Sequence, residues 1–261
     1  MAVDEAILLC HAERSAPPTL RFYDWSPACI SLGRFQKWPF EGEPPFEVVR
    51  RPTGGRGVLH RDEITYCAVL REDLLPEGSC SVVGAYRWLS EGFIAGLGDL
   101  GIGAQMGKGE TCDVLPDDAV ASAPVNDVNC FAASARCDLT VAGRKLIGAA
   151  QCRKRGAVLQ HGAILLDYDV AAWSALGLAP QAVTSLHALG IFAPRDQLIK
   201  HLSAGVERSL GIKLRISGLS ERELEVAQAL HNEKYARATW TRDATDVPTA
   251  ASEPLQVPTA G

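Results

Sequence analysis

A basic leader is missing from this sequence, and so is any apolar run long enough to cross a bilayer. The first residues, Met1-Ala2-Val3-Asp4-Glu5, place no positive stretch ahead of a long hydrophobic segment, so no secretory signal is expected. No run approaches the roughly 20 residues of a membrane span. Positive charge is in deficit: 26 Lys and Arg against 31 Asp and Glu give a formal charge of −5, which argues against general nucleic-acid binding. None of the 8 cysteines forms a C-x-x-C pair and the 6 histidines are scattered, which speaks against a zinc site or a disulfide framework. The expectation is a cytoplasmic protein with free thiols, no metal, and no membrane or nucleic-acid partner.

What is present is enough for a sizeable core. The 261 residues are 47% hydrophobic and 22% charged, the balance of a globular chain. Residues 2–9 read as a short helix. Residues 21–25 and 28–32 alternate like two strands around Ser26-Pro27, 47–51 as another strand, and 63–70 as an aromatic and β-branched one. Val82, Tyr86, Leu89, Phe93 and Leu97 recur at helical spacing, with Gly98 and Gly101 ending the pattern. Residues 111–127, rich in Asp, Ala and Pro, read as a surface loop. A hairpin follows, with 137–141 and 144–152 as strands around Ala142-Gly143, then a strand over 157–167. Leu198, Leu202, Val206 and Leu210 mark a helix, residues 212–216 a strand, and Ser220 with Glu223 a capping box before another helix. Hairpins followed by segregated helices predict an α+β fold with a mixed, largely antiparallel central sheet flanked by helices. Residues 1–242 form the expected catalytic domain and 243–261 an expected disordered tail.

Two blocks carry the chemistry. The first is Arg50-Arg51-Pro52-Thr53-Gly54-Gly55-Arg56-Gly57-Val58-Leu59-His60. Glycines let backbone N–H groups approach a ligand, and with arginines they suit an anionic or strongly polarised acyl group. The block has neither the Lys-Ser or Lys-Thr pair of a phosphate loop nor a G-x-G-x-x-G opening a helix. The second runs from Gly143-Arg144-Lys145-Leu146-Ile147-Gly148-Ala149-Ala150-Gln151 through Cys152-Arg153-Lys154-Arg155-Gly156 to Gln160-His161-Gly162-Ala163-Ile164-Leu165-Leu166.

In this order the blocks resemble the R-R-x-T-G-G-R-A-V-L-H and G-x-K-x-x-G-x-A-Q…Q-H-G-x-I-L-L motifs of the biotin/lipoate protein ligase and octanoyltransferase superfamily, over most of residues 1–240. The resemblance implies a central sheet flanked by helices. It also implies a short strand ahead of the first helix, so that here one edge of the sheet would be missing. It assigns catalysis to Cys130 and Lys145, since LipM-type octanoyltransferases carry the acyl group as a thioester on a Cys-Phe cysteine and Cys130-Phe131 stands fifteen positions before Lys145. Cys152, too close behind Lys145 in the same strand, does not fit the arrangement of the related LipB-type enzymes. Substrate contact is expected of Arg51, Thr53, Gly54, Gly55, Arg56, His60, Gly148, Ala149, Gln151, His161 and Gly162.

The implied activity is transfer of octanoyl from acyl carrier protein to a lysine of a lipoyl domain, the glycine cleavage H protein being the expected acceptor. About 3% of an ordinary cysteine is thiolate at pH 7, and a lysine ammonium within hydrogen-bond reach raises that fraction. A thioester exchanges onto such a thiol with little change in bond energy, and lysine attack then yields a more stable amide, so no nucleotide or other cofactor is needed. Backbone N–H groups near Gly54, Gly55 and Gly148 are candidates for holding the oxyanion.

Other readings stay open. An ATP-dependent lipoate ligase more often carries a third glycine where Arg56 stands, a lipoyl-domain amidotransferase would use the same cysteine, and a non-catalytic lipoyl-domain binder would need neither Cys130 nor Lys145. Each residue also has an ordinary role available: buried thiol, solvated lysine, core histidine, turn glycine. Arg153-Lys154-Arg155 is either a solvated hairpin end or a patch that steers an acidic carrier protein.

Overall fold

The computed structural model describes residues 1–107, 138–175 and 180–245. Cys130, Phe131, the 111–127 segment and residues 246–261 of the expected tail lie outside the described residues.

The chain begins with helix α1 (Ala2–Ala12), then strands β1 (Thr19–Tyr23), β2 (Cys29–Leu32), β3 (Glu47–Arg50), β4 (Val58–His60) and β5 (Glu63–Arg71). Helix α2 (Val82–Gly98) follows, capped by Ser81 Oγ accepting from Gly84 N at 3.0 Å. Next come β6 (Gln105–Met106), β7 (Leu139–Val141), β8 (Arg144–Lys154) and β9 (Ala157–Leu165), and then helices α3 (Val170–Ala175), α4 (Arg195–Leu210), α5 (Glu221–Leu230) and α6 (Ala238–Asp243). The expected capping box is present: Ser220 Oγ accepts from Glu223 N, and Glu223 Oε2 accepts from Ser220 N at 2.7 Å.

Six strands form an antiparallel sheet in the order β1-β5-β9-β8-β7-β6. Both β7–β8 and β8–β9 turn through two residues of positive φ, Ala142-Gly143 and Arg155-Gly156, the twist that suits tight hairpins. A smaller sheet, β3-β2-β4, joins β2 to β3 in parallel and to β4 in antiparallel. The α+β architecture with a mixed, largely antiparallel sheet is as the sequence predicts.

Alternation sorts the large sheet into two faces. One carries Ile64, Tyr66, Ile147 and Ile164 against Phe93 and Leu97 of α2 and Leu198, Leu202 and Val206 of α4. The other carries Cys67, Val69 and Leu159 against Ile7 and Leu8 of α1, while α5 covers the outer side of α1. No helix among the described residues is long and apolar enough to cross a membrane.

The strands either side of Ser26-Pro27 fall in different sheets: β1 edges the large one and β2 is central in the small one. One local expectation is corrected: residues 212–216 are not a strand. Gly211 ends α4 in the left-handed conformation, Ile212 N returns to Glu207 O at 3.2 Å and Leu214 N to Glu207 Oε1 at 2.8 Å, and Ile216 is fully exposed. Those backbone donors are taken by the end of α4, so no ladder forms. The end of α6 at Asp243 also carries helix one residue into the expected tail.

Candidate active site

The two motif blocks meet at a pocket that is partly open to solvent. Ser31, Arg51, Gly55, Val58 and His60 form one wall. Gly148, Ala149 and Ala150 of β8 face them, with His161, Gly162 and Ala163 of β9; Tyr23 and Thr65 close a side. Of the sequence-predicted contacts, Arg51, Gly55, His60, Gly148, Ala149, His161 and Gly162 reach the wall. Thr53, Gly54, Arg56, Lys145 and Gln151 do not line the pocket.

The signature loop is held by its two arginines. Arg50 is fully buried and donates to the carbonyls of Gly33, Arg34 and Gln36 on one side and of Trp240, Thr241 and Arg242 on the other. Trp240 Nε1 returns a bond to Arg50 O at 3.0 Å. Burial, and then the charge of Arg51, bring the Arg50 guanidinium down to about 10, so its charge persists at neutral pH. Arg51 donates to Ser31 O (3.0 Å), Ser31 Oγ (3.2 Å), Gly54 O (2.7 Å) and Arg56 O (2.7 Å). The arginine that the sequence offers to an anion therefore spends its donors shaping the loop. Gly55 takes φ of 87°, and a Cβ on Gly33 would lie 1.8 Å from Gly55 O, so the β2 end and the loop touch backbone to backbone.

Lys145 is buried, not solvated: its Nζ lies 2.9 Å from Asp138 Oδ2, with the two side chains 3% and 2% exposed. A one-residue register shift between β7 and β8 puts both Leu146 and Ile147 into one core cluster and re-aims Lys145 relative to the alternation of the rest of β8. Asp138 was not legible as its partner, because the pairing depends on that bulge. Removing one member of a buried ion pair strands the other, typically at a cost of about 3–5 kcal/mol. Lys145→Ala is therefore expected to lower unfolding stability by that order in urea titration, and Lys145→Met with Asp138→Leu to recover most of it; a single substitution that leaves the midpoint unmoved would contradict the pairing.

Two hydroxyl–imidazole–carboxylate chains approach the pocket. His60 Nε2 lies 2.7 Å from Ser31 Oγ and its Nδ1 2.6 Å from Glu63 Oε1. His161 Nε2 lies 2.6 Å from Thr53 Oγ1, but its Nδ1 stands 3.7 Å from Asp4 Oδ2, beyond hydrogen-bond length. Burial pushes His161 below the ordinary histidine range, so it is neutral. Burial opposes ionisation of Asp4 too, yet the charges of the Met1 ammonium and of Arg21, 2.7 Å away, hold its carboxyl well below the usual range. Gln151 bonds Gln160 at 2.8 Å, which bonds Tyr66 Oη at 2.9 Å, so Gln151 bridges strands and does not face the pocket. Sequence reading missed Ser31, Glu63, Asp4 and Asp138. Two adjacent acids in the apolar segment 2–9 were the available signal for Asp4.

The basic cluster is largely neutralised. Arg153 pairs with Glu72 at 2.5 Å, Lys154 with Glu5 at 3.3 Å and Arg155 with Glu13 at 2.7 Å. Among the described residues no cysteine lines the pocket. Burial pushes the thiols of Cys29 and Cys152 up to about 12 and those of Cys10 and Cys67 upward as well, so none of the four is a thiolate at neutral pH.

Comparison with known proteins agrees with this geometry. The lipoyl protein ligase A/B catalytic domain model matches residues 1–202. The octanoyltransferase LipM of Symbiobacterium thermophilum is 36% identical over 260 residues, 92% of each chain. The octanoyltransferase LipM of Bacillus subtilis is 37% identical over 262 residues, again 92% of each. Among solved structures, lipoate-protein ligase A bound with ATP superposes with a TM-score of 0.73 at 26% identity, over 94% of this chain and 93% of that one. The bipartite lipoate protein ligase of Thermoplasma acidophilum gives 0.72 at 22% identity, over 95% and 92%, a likeness of fold. With its two motif blocks walling one pocket and these relatives matching nearly end to end, the chain belongs to the lipoyl protein ligase A/B catalytic domain family.

Proposed function

We propose that this protein is a cytoplasmic octanoyltransferase that takes octanoyl from the phosphopantetheine thioester of acyl carrier protein onto Cys130 and passes it to a lysine of a lipoyl domain, the glycine cleavage H protein being the preferred acceptor. The observation that carries this reading is the match to octanoyltransferases LipM over 92% of each chain. It is supported by the predominantly apolar pocket between the signature loop and the β8–β9 hairpin, and by the raised thiols of Cys29 and Cys152. Lys145 is the cation assigned to the Cys130 thiol, and Asp138, at 2.9 Å, fixes where that ammonium sits. Lowering the thiol pKa by one to two units takes the thiolate from about 3% to roughly a quarter or three quarters at pH 7.

The likeness to lipoate-protein ligase A bound with ATP favours a second reading, activation of free lipoate by a nucleotide. Incubation with octanoyl carrier protein in the absence of ATP separates the two. An octanoyl mass increment on the intact protein, absent in Cys130→Ala, is expected. Modification of a lipoyl domain only when ATP and free lipoate are both supplied would establish the ligase instead.

A further inference from the structure

We propose that Ser31, His60 and Glu63 form a proton relay that deprotonates the acceptor lysine when it attacks the acyl group. The inference rests on the acyl-transfer reading and extends it to the second half-reaction, in which the acceptor amine must lose a proton before it can attack. The acceptor amine, with a pKa of about 10.4, arrives as an ammonium ion and has no lone pair until it gives up a proton.

The geometry supplies a route. A carboxylate only accepts, so the 2.6 Å contact with Glu63 Oε1 places the proton of His60 on Nδ1. Nε2 of the neutral ring is then an acceptor for the Ser31 hydroxyl at 2.7 Å, and both residues line the pocket. Ser31 Oγ also accepts from Arg51 Nη1 at 3.2 Å, which stabilises negative charge on that oxygen while a proton is in transit. The arrangement has the roles of a hydroxyl, an imidazole base and an orienting carboxylate. The neighbouring Thr53–His161–Asp4 chain lacks that continuity, since its imidazole and carboxylate stand 3.7 Å apart.

Trp25 stacks on the His60 imidazole with centroids 4.3 Å apart and planes 16° from parallel, which fixes the plane of the ring. Glu63 is 1% exposed and Thr65 also donates to its Oε1, yet its Oε2 has no hydrogen-bond partner among the described residues. A buried carboxylate with one oxygen unsatisfied is costly as a purely structural device. An imidazolium beside it provides the missing counter-charge. The other charged groups facing the relay are Arg51, on Ser31, and Arg195, whose Nη1 bonds the Glu63 carbonyl; His161 with Asp4 lies across the pocket.

The step balances. The ammonium gives one proton to Ser31 Oγ as the Ser31 proton moves onto His60 Nε2. The freed lone pair forms the C–N bond at the thioester carbonyl and the C–S bond breaks. The departing Cys130 thiolate takes the surplus proton of the new nitrogen, leaving amide, thiol and a His60 imidazolium that releases its proton to solvent. Ser31 and His60 are catalytic residues here; Glu63 is a positioning residue that acts through His60.

The test follows octanoyl through both half-reactions by rapid-quench intact mass: loading of Cys130 from octanoyl carrier protein, then transfer to a lipoyl domain. In Ser31→Ala and His60→Gln, transfer at pH 7 is expected to fall about 100-fold, the usual worth of a general base, and at least tenfold more than loading. In Glu63→Gln, which keeps a hydrogen-bond acceptor but not the charge, an intermediate loss is expected. Without the relay the transfer rate follows the free-amine fraction and climbs about tenfold per pH unit toward the lysine pKa, so the gap to the unsubstituted protein closes by pH 9.5–10. Loading in the same samples reports whether each variant is folded; a variant that does not load is replaced by Ser31→Gly or His60→Asn. Transfer that is unimpaired, impaired equally with loading, or impaired by the same factor at every pH would overturn the relay. Failure of the unsubstituted protein to load at all would overturn the acyl-transfer reading together with it.

Discussion

Cys130→Ala is expected to lower ATP-independent octanoyl transfer by at least about 1000-fold, some 4 kcal/mol of barrier. The size of the effect follows from the absence of a substitute thiol among the described residues. The thiols of Cys29 and Cys152 are pushed up to about 12, and at pH 7 a thiol of that kind is thiolate in roughly one molecule in 100,000. Cys10 and Cys67 are buried and shifted in the same direction. Cys80 is exposed, but it does not line the pocket and its carbonyl is held by Arg153. The measurement is the initial rate of octanoyl transfer to a lipoyl domain from the carrier thioester, with Cys80→Ala as the comparison, expected within about twofold of the unsubstituted protein. More than a tenth of the rate surviving in Cys130→Ala would remove that residue from the mechanism.

The second large effect is on stability, at the crossing of α2 and α4. Gly92, Gly96 and Gly205 let the two helices approach until a Cβ on Gly205 would lie 2.3 Å from Gly96 N and 2.4 Å from Gly92 O. Both are backbone atoms and cannot rotate aside, so Gly205→Ala must push the helices apart. That separation loosens Phe93 and Leu97 from Leu198, Leu202 and Val206, the centre of the largest buried cluster. Helix propensity alone predicts the opposite sign, since alanine is better than glycine inside a helix by about 1 kcal/mol. Overpacking against rigid backbone outweighs it, and we expect a net loss of about 3 kcal/mol or more. Gly98→Ala, at the end of α2 with none of the described residues within 4 Å of its Cβ, is expected to be neutral or slightly stabilising. Urea midpoints of the two variants decide the matter; equal midpoints would mean that the crossing yields more easily than its geometry implies.

Much of this architecture was legible in the residues because the patterns were local. The 82–97 periodicity, the Ser220–Glu223 box and the Ala142-Gly143 turn each fix a conformation within a few positions, and each appears where expected. The 212–216 alternation misled because a strand is specified only together with its neighbour, and the end of α4 had already taken its backbone donors. The site divides in the same way. Residues inside the two motif blocks were readable, whereas the groups that orient them come from elsewhere in the chain: Ser31 from β2, Asp4 from α1, and Asp138 across a bulged hairpin. Glu63 stands three positions after His60 and was still overlooked, since only the turn from β4 into β5 reveals that the two side chains meet. The role of Arg51 illustrates the same limit. Charge suggests a ligand contact, but where its fork finds acceptors depends on a loop conformation that no residue spacing states.

Arg50 gathers carbonyls of residues 33–36 and of residues 240–242 onto one guanidinium, across separations of up to 192 positions. A ribosome emits the signature loop long before Trp240 exists to meet it. During synthesis the loop therefore lacks half of the acceptors that hold Arg50 in place, and contacts of such long sequence separation are the slowest to form. The wall of the pocket is completed last, by the end of the domain farthest from it in sequence.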